Sequence, residues 1–387
     1  MNTGRSAIGD VFRAAGALGA VVFLAAERHP AAGHRFAMLM ASGTTMKTLL
    51  FICLLLTLAV WTLWPGGGLL ARWRRARALA QRARREDALK HILKCEANQQ
   101  TPTIHSVAGA LGVSPDRAAD VLNELESGGL ISHEQGHLHL RPSGRELATH
   151  VVRAHRLWES YLAEQTGVAD AQWHPRAERQ EHLLTPQQVE ELSARLGHPM
   201  RDPHGDLIPG AGEPVRSETG QSLNTAPVNE PLMIAHIEDE PEAVYAQLCA
   251  QGLRSGMKAC LLERTPEQLR LWAEGRDHTL TPLQAGNIAV VPLPDVRTDD
   301  LFQEEYLDQL KPGEQAEVLG LSAACRGLER RRLLDLGFVP GTVVEVERVS
   351  PLGDPVAYRV RGSVVALRSE QARLIRIRRR VPEAVGV

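Results

Sequence analysis

One run restricts this chain more than any other: His174-Pro175-Arg176-Ala177-Glu178-Arg179-Gln180-Glu181-His182. On a helix, positions 174, 178, 181 and 182 fall at i, i+4, i+7 and i+8, so two imidazoles and two carboxylates share one face. His155 and Glu159 form a second such pair one helix earlier, at i, i+4. A lone histidine or glutamate on a helix is ordinarily just solvated. Several at helix-compatible spacing make a mixed nitrogen and oxygen ligand set, suited to a divalent first-row transition metal such as iron or manganese. His198 and His204 stand outside the pattern and read as solvated, with His204 shaping a loop in the DPHGD turn.

The 387 residues leave room for roughly two to four domains. A formal net charge of -2 says little about partners. Cys53, Cys95, Cys249, Cys260 and Cys325 are scattered and show no C-x-x-C spacing. That pattern fits a reducing compartment, without a disulfide framework or a cysteine-based zinc site.

Residues 49–64 read LLFICLLLTLAVWTLW without a charge, and residues 66–70 extend the stretch toward the roughly 20 residues a bilayer core requires. Trp61 and Trp64 sit at one end, as in an aromatic belt, and seven arginines follow between Arg72 and Arg85. The positive-inside rule then places everything after Arg72 in the cytoplasm. The expectation is a single-pass, bacterial-type inner-membrane protein with most of its chain on the cytoplasmic side. The competing readings are a cleaved leader and a buried core helix, but no convincing small-residue cleavage site follows the apolar run. Residues 14–26 form a shorter apolar stretch within an extension at 1–45, and Met40 and Met46 are alternative starts.

Residues 86–95 read as an amphipathic helix, 103–111 and 115–126 as two more. Ser114 is a natural N-cap with Pro115 at the first helical position. ISHEQGHLHLRPSG alternates around Gly136 as a two-stranded wing would. Together these make a winged helix-turn-helix, whose third helix would enter a DNA major groove. That helix carries Asp116, Asp120, Glu124 and Glu126 against the single Arg117, a poor footprint for phosphate neutralisation.

At this point the chain resembles a known family. RPSGRELATHVVRAHRLWESYLAEQTGV, HPRAERQEHLLTPQQVEEL and LGHPMRDPHGDLIPG are similar to metal-dependent repressors of the diphtheria-toxin-repressor and manganese-regulator type, over residues 85–210. The resemblance implies a winged helix followed by a helical dimerisation domain, a homodimer, Fe(II) or Mn(II) as cofactor, and operator DNA as partner. It implies a primary metal site at Asp87, Glu178, Glu181 and His182, and an accessory site at His155, Glu159 and His174. Ser114 and Arg117 fall on DNA-facing positions, as do Asp116 and Asp120. Lys90 stands where manganese-type members carry a second acidic ligand, which argues against a binuclear site of that kind. Thr185-Pro186-Gln187-Gln188 reads as a capping box opening the next helix.

Two segments with one plan follow a loose linker. In the second, RLLDLGFVPGT, PLGDP and ALRSEQA resemble the FeoA domain of ferrous-iron uptake systems, a small five-stranded barrel, and tilt the ion toward iron. The first repeats the plan, with Leu253-Arg254-Ser255-Gly256-Met257 standing where Phe338-Val339-Pro340-Gly341-Thr342 stands in the second. It resembles the SH3-like tail of the repressor family, which lends side chains to the accessory site. Glu238, Asp239, Glu240 and Glu242 are the nearest candidates, but their register is ambiguous and none is singled out.

The expected fold class is α+β: a transmembrane helix, a winged helix-turn-helix, a helical dimerisation domain and two small SH3-like β-barrels. The expected boundaries are an extension at 1–45, the span at 46–70, a basic juxtamembrane linker at 71–85 and the winged helix at 86–142. The metal-binding and dimerisation domain follows at 143–210, a linker at 211–230, a degenerate SH3-like domain at 231–295 and the FeoA-type domain at 312–380. No Gly-rich phosphate loop, nucleophile elbow or H-E-x-x-H motif is present, so an enzyme is not expected. The leading expectation is a membrane-anchored, metal-responsive repressor. The alternative is an accessory of a ferrous-iron transporter that does not bind DNA.

Overall fold

The computed structural model describes residues 43–64, 67–134, 137–215 and 220–380. The early apolar stretch at 14–26, Met40 and the wing tip at Gly136 lie outside the described residues. The chain divides into two compact units, Met1–Gln81 and Arg82–Val387.

In the first unit, helix α1 spans Gly43–Leu63. Among the described residues no helix is long and apolar enough to cross a membrane, so the span expected at 46–70 is not found there. The uncharged part of α1, residues 48–63, rises about 24 Å at about 1.5 Å per residue, short of the roughly 30 Å hydrocarbon core. The basic stretch expected to be a linker is helical instead. It belongs to α2, Leu69–Ala97, because its alanines, arginines and leucines are strong helix formers uninterrupted by glycine or proline.

In the second unit the winged helix forms as expected. α3 (Ile104–Leu111) opens on a Thr103 capping box with Ser106 and closes at Gly112, at φ 60°. α4 (Pro115–Ser127) is capped by Ser114, whose side chain accepts from the Arg117 amide. β1 (Ile131–Glu134) and β2 (His137–Leu140) pair antiparallel as the wing. Leu89, Ile92, Val107, Leu122, Leu125, Ile131 and Leu138 share one core with Ala148 and Val152. The last two come from α5 (Pro142–Gln165), so the winged helix is built directly onto the next domain. α6 (Trp173–Glu181) and α7 (Pro186–Arg195) complete that domain, and α7 opens on the expected Thr185–Gln188 capping box.

Two six-stranded antiparallel sheets follow. The first comprises β3 (Gln221–Ser222), β4 (Pro231–Ile237), β5 (Lys258–Arg264), β6 (Leu269–Ala273), β7 (Arg276–Leu280) and β8 (Ile288–Pro292), with α8 (Glu242–Ala250) and α9 (Pro282–Gly286) between strands. After α10 (Thr298–Phe302), the second comprises β9 (Glu305–Tyr306), β10 (Gln315–Leu321), β11 (Val343–Val349), β12 (Val356–Val360), β13 (Ser363–Leu367) and β14 (Ile375–Arg379). Its helices are α11 (Gly327–Asp335) and α12 (Ser369–Ala372). The strand orders are β3-β8-β4-β5-β6-β7 and β9-β14-β10-β11-β12-β13, which is one topology used twice.

The repeat extends to individual bonds. The Gly256 amide donates to Ile234 O at 2.7 Å and the Gly341 amide to Val318 O at 2.9 Å. These glycines hold φ of 87° and 83°, a conformation that favours glycine. The expected alignment of Leu253–Met257 with Phe338–Thr342 therefore stands. Two expectations are corrected. Each module adds a two-residue strand to the five expected in the FeoA-type domain, and the first of these, β3, lies inside the expected linker at 211–230. Strands this short carry no readable alternation.

Candidate metal centre

Seven acids and histidines gather between α2, α5, α6 and the first β-module in two clusters. In one, donor atoms of His155, Glu159, His174 and Asp239 all lie within 4.8 Å of one another. In the other, the same holds for Asp87, Glu181 and His182.

α5 supplies His155 and Glu159 from one face, with His155 Nε2 3.0 Å from Glu159 Oε1. α6 supplies His174, whose Nδ1 is 3.5 Å from the same oxygen and 2.7 Å from Asp239 Oδ2. His204, from the turn after α7, completes the surround with Nε2 3.5 Å from Glu159 Oε1. Glu159 Oε1, both ring nitrogens of His174 and both of His204 are buried without a well-directed hydrogen bond. Buried polar atoms whose hydrogen bonds are poorly directed are costly. A divalent cation among these nitrogens and oxygens would satisfy several of them at once.

Electrostatics agrees. Burial disfavours a charged His174, yet Asp239, Glu159 and Glu178 push its pKa up to about 12. Burial likewise opposes ionisation of Asp239, but His174 and His204 hold its carboxyl down at about 2. These carboxylates draw positive charge strongly, and protons or a metal ion can supply it.

The second cluster joins two domains. His182, at the C-terminal cap of α6, has Nε2 3.2 Å from Asp87 Oδ1 and 3.6 Å from Glu181 Oε1. Its Nδ1 lies 2.7 Å from Glu86 Oε2. A carboxylate on one ring nitrogen fixes the tautomer and aims the other nitrogen at the site. Arg82 in turn bonds Glu86 at 2.6 Å. Lys90 Nζ donates to both oxygens of Glu181, at 3.1 and 3.0 Å. His155 links the clusters, because its Nδ1 makes a short hydrogen bond with Glu181 Oε2 while its Nε2 faces Glu159.

Of the residues expected at the primary site, the structure brings Asp87, Glu181 and His182 together and leaves Glu178 apart. Glu178 lies half exposed, with Oε1 3.4 Å from His174 Nε2, because its place on α6 is one turn from His174. The expected accessory residues His155, Glu159 and His174 converge. His204, expected in solvent, is only 2% exposed, since the turn that carries it is pressed onto β4. Of the acidic run, Asp239 reaches the cluster, while Glu238 pairs with Lys94 at 3.3 Å. Glu86 was missed as a partner of His182. Its position beside Asp87 was visible, but its orientation was not.

On α4, Asp116, Arg117 and Asp120 are exposed. Arg117 Nη1 is 3.2 Å from Asp120 Oδ2, and Ser114 is engaged as the cap.

Comparison with known proteins finds two family models that match parts of the chain. Residues 141–210 match the family described as iron dependent repressor, metal binding and dimerisation domain, and residues 306–379 match the FeoA domain. Both matches fall on the segments whose motifs carry the resemblance. A probable metal transport system membrane protein of Chlamydia trachomatis is 42% identical over 81 residues, 21% of this chain and 18% of that protein. The iron-dependent repressor IdeR of Mycobacterium bovis is 32% identical over 126 residues, 32% of this chain and 55% of that protein. The chain thus spans about half the length, or less, of these curated relatives. A solved manganese-dependent transcriptional repressor in complex with manganese is 29% identical, with a TM-score of 0.50 over 54% of this chain and 100% of that one.

Proposed function

We propose that this chain is a metal-responsive, DNA-binding transcriptional repressor of iron or manganese homeostasis, acting as a homodimer and attached to a membrane through α1. The observation that carries the proposal is the second cluster. It takes Asp87 from the winged helix and Glu181 and His182 from the adjoining domain, within 4.8 Å. Fe(II) or Mn(II) suits the all-nitrogen-and-oxygen donor set, and such relatives as IdeR and the manganese-dependent repressor are named for these metals. The ion would supply divalent charge to a group of carboxylates. Asp87, Glu181 and His182 would hold it, with Glu86 orienting His182. His155, Glu159, His174 and Asp239 would hold a second ion.

An ion bound by residues of two domains favours the arrangement in which both are in place, so metal shifts the orientation of the winged helix toward one state. Because Glu181 also bonds His155, the two sites would influence one another. The test is binding of genomic DNA fragments at low salt, with Mn(II) and with chelator, for the wild type, Glu181→Ala and His182→Ala. Metal-dependent capture lost in both variants supports the proposal. Absence of DNA binding with and without metal sinks it.

Membrane attachment, with the bulk of the chain on the cytoplasmic side, rests on α1 and the arginines after it. Leu50, Phe51, Leu54, Leu56 and Trp61 are all more than half exposed, which leaves them in need of an apolar cover. Retention of the native protein in the membrane pellet after an alkaline wash is expected, and full release would contradict it.

A second reading, an accessory of a ferrous-iron transporter, is favoured by the acidic face of α4 and by Arg117 being paired with Asp120. The FeoA domain and the relative named as a membrane protein of a metal transport system point the same way. Co-purification with a transporter together with absent DNA binding would select it.

A further inference from the structure

Among the described residues the second β-module contributes no donor to either metal cluster, yet it touches the loop that carries His204, which lies beside Glu159. The contact is Arg326, at the N-cap of α11. Its Nη1 donates to Pro203 O at 2.6 Å, and its Nη2 donates to Ser255 O at 3.0 Å and Ser255 Oγ at 3.2 Å. Ser255 Oγ itself donates to Pro203 O at 3.1 Å. Three modules therefore meet on one carbonyl. All these acceptors are uncharged, so the guanidinium supplies geometry here rather than an ion pair.

Pro203 immediately precedes His204. The His204 amide donates to Asp202 Oδ1 at 2.9 Å, and its carbonyl accepts from the Ile237 amide at 3.0 Å. Gly205, at φ 107°, lets β4 lie so close that a Cβ there would stand 1.9 Å from Ala235 O. Two residues past Ile237 the chain reaches Asp239. The 202–206 turn and the start of the β4–α8 connection thus form one packed unit. It presents His204 to Glu159 and Asp239 to His174. Arg326 holds the outer side of that unit. Next to it, Gly327 brings α11 against the end of α5, where a Cβ would stand 2.4 Å from Ala163 O.

We propose that Arg326 is a positioning residue for the His155–Glu159–His174–Asp239 cluster, and that through it the FeoA-type module tunes how tightly that cluster holds a divalent cation. The proposal rests on the reading of the cluster as a metal site. The coupling is reciprocal, as any coupling of binding equilibria must be. An ion that draws Asp239 and His204 inward also fixes the carbonyl that Arg326 grips.

The experiment is titration of the full-length chain with Mn(II), following free Mn(II) by electron paramagnetic resonance, in the wild type, Asp239→Ala, His182→Ala, Arg326→Ala, Arg326→Lys and Ser255→Ala. Asp239→Ala and His182→Ala, each expected to lose one ion, assign the two binding events. Arg326→Ala is expected to weaken the event lost in Asp239→Ala by about 10-fold or more, the usual cost of removing an outer support, and to change the event lost in His182→Ala much less. Arg326→Lys, which keeps one donor for Pro203 O, is expected to recover part of the loss. Ser255→Ala is expected to give a smaller loss in the same event, and it carries the test should Arg326→Ala not fold. Loss in Asp239→Ala without loss in Arg326→Ala and Ser255→Ala overturns the role of Arg326 and leaves the metal site standing. Equal weakening of both events overturns it too, since that is general loosening. Unchanged Mn(II) binding in Asp239→Ala overturns the cluster itself, and the proposal with it.

Discussion

The two β-modules share a strand order, helix positions and turn geometry, but the same connection does different work in each. In the first module, the link from β4 to α8 carries Glu238, Asp239 and Glu240, and Asp239 reaches 2.7 Å from His174. In the second, the link from β10 to α11 carries Ser322, Cys325 and Arg326, and Arg326 grips Pro203 O at 2.6 Å. One copy offers a carboxylate to the cluster, and the other offers a guanidinium to the turn behind it. Function in this pair sits in a few connection residues displayed on a common scaffold.

The sharpest way to break this comparison is to remove each connection's working side chain. Asp239→Ala is expected to lower Mn(II) affinity at one site by about 100-fold, roughly 2.7 kcal/mol. Glu238→Ala, on the same link but paired with Lys94, is expected to change it little. Equilibrium metal titration reads both, and equal effects would erase the distinction between the two acids.

Next in size is the seat of the second module on α5. Gly327 holds φ of 58°, and a side chain there would meet Ala163 O. Gly327→Ala is therefore expected to cost about 2 kcal/mol through backbone strain and displacement. Gly341, at φ 83° but with open space around it, should cost less on the same substitution. Chemical denaturation compares them directly.

A more graded effect follows the protons. In the metal-free protein burial disfavours charged His182 and His204, but Asp87 and Glu86 for the first and Glu159 for the second push both up to about 9 from 6.5. A histidine raised in this way stabilises the fold fully below its unfolded value and loses that contribution as pH rises through the folded value. Stability with chelator should therefore fall between about pH 6.5 and 9, while Mn(II)-loaded protein, whose ion replaces the protons, should hold its Tm. Parallel thermal melts across that window check the sign. A chelated protein that gains stability there would reverse it.

The smallest effect concerns DNA. Asp120→Ala frees Arg117 from an exposed ion pair that is itself worth roughly 0–1 kcal/mol. It is expected to raise metal-dependent DNA affinity a few-fold, with little change in Tm. An unchanged affinity would favour the transporter-accessory reading.

Much of this was legible in the sequence because it depended on local rules. The Ser114 cap with Pro115, the Thr185 capping box and the i, i+4 pairing of His155 with Glu159 are all set by helix geometry. The glycine turns at Gly256 and Gly341 revealed the repeat for the same reason. What was not legible depended on tertiary approach. Asp239 was one acid among four, and only the packing of β4 against the 202–206 turn selects it. His204 looked solvated because a turn's polar composition does not reveal what lies over it. Glu178 shared a helical face with His174 and Glu181, but that face spans two clusters, and one turn of α6 decides which of them each residue meets. The two-residue strands β3 and β9 were too short to show any periodicity.

The most direct test of the metal centre is anomalous diffraction from crystals of the chain grown with Mn(II). Two manganese peaks are expected, one among His155, Glu159, His174 and Asp239 and the other among Asp87, Glu181 and His182. Crystals soaked at saturating Mn(II) that show no peak at either place would contradict a metal-linked winged helix.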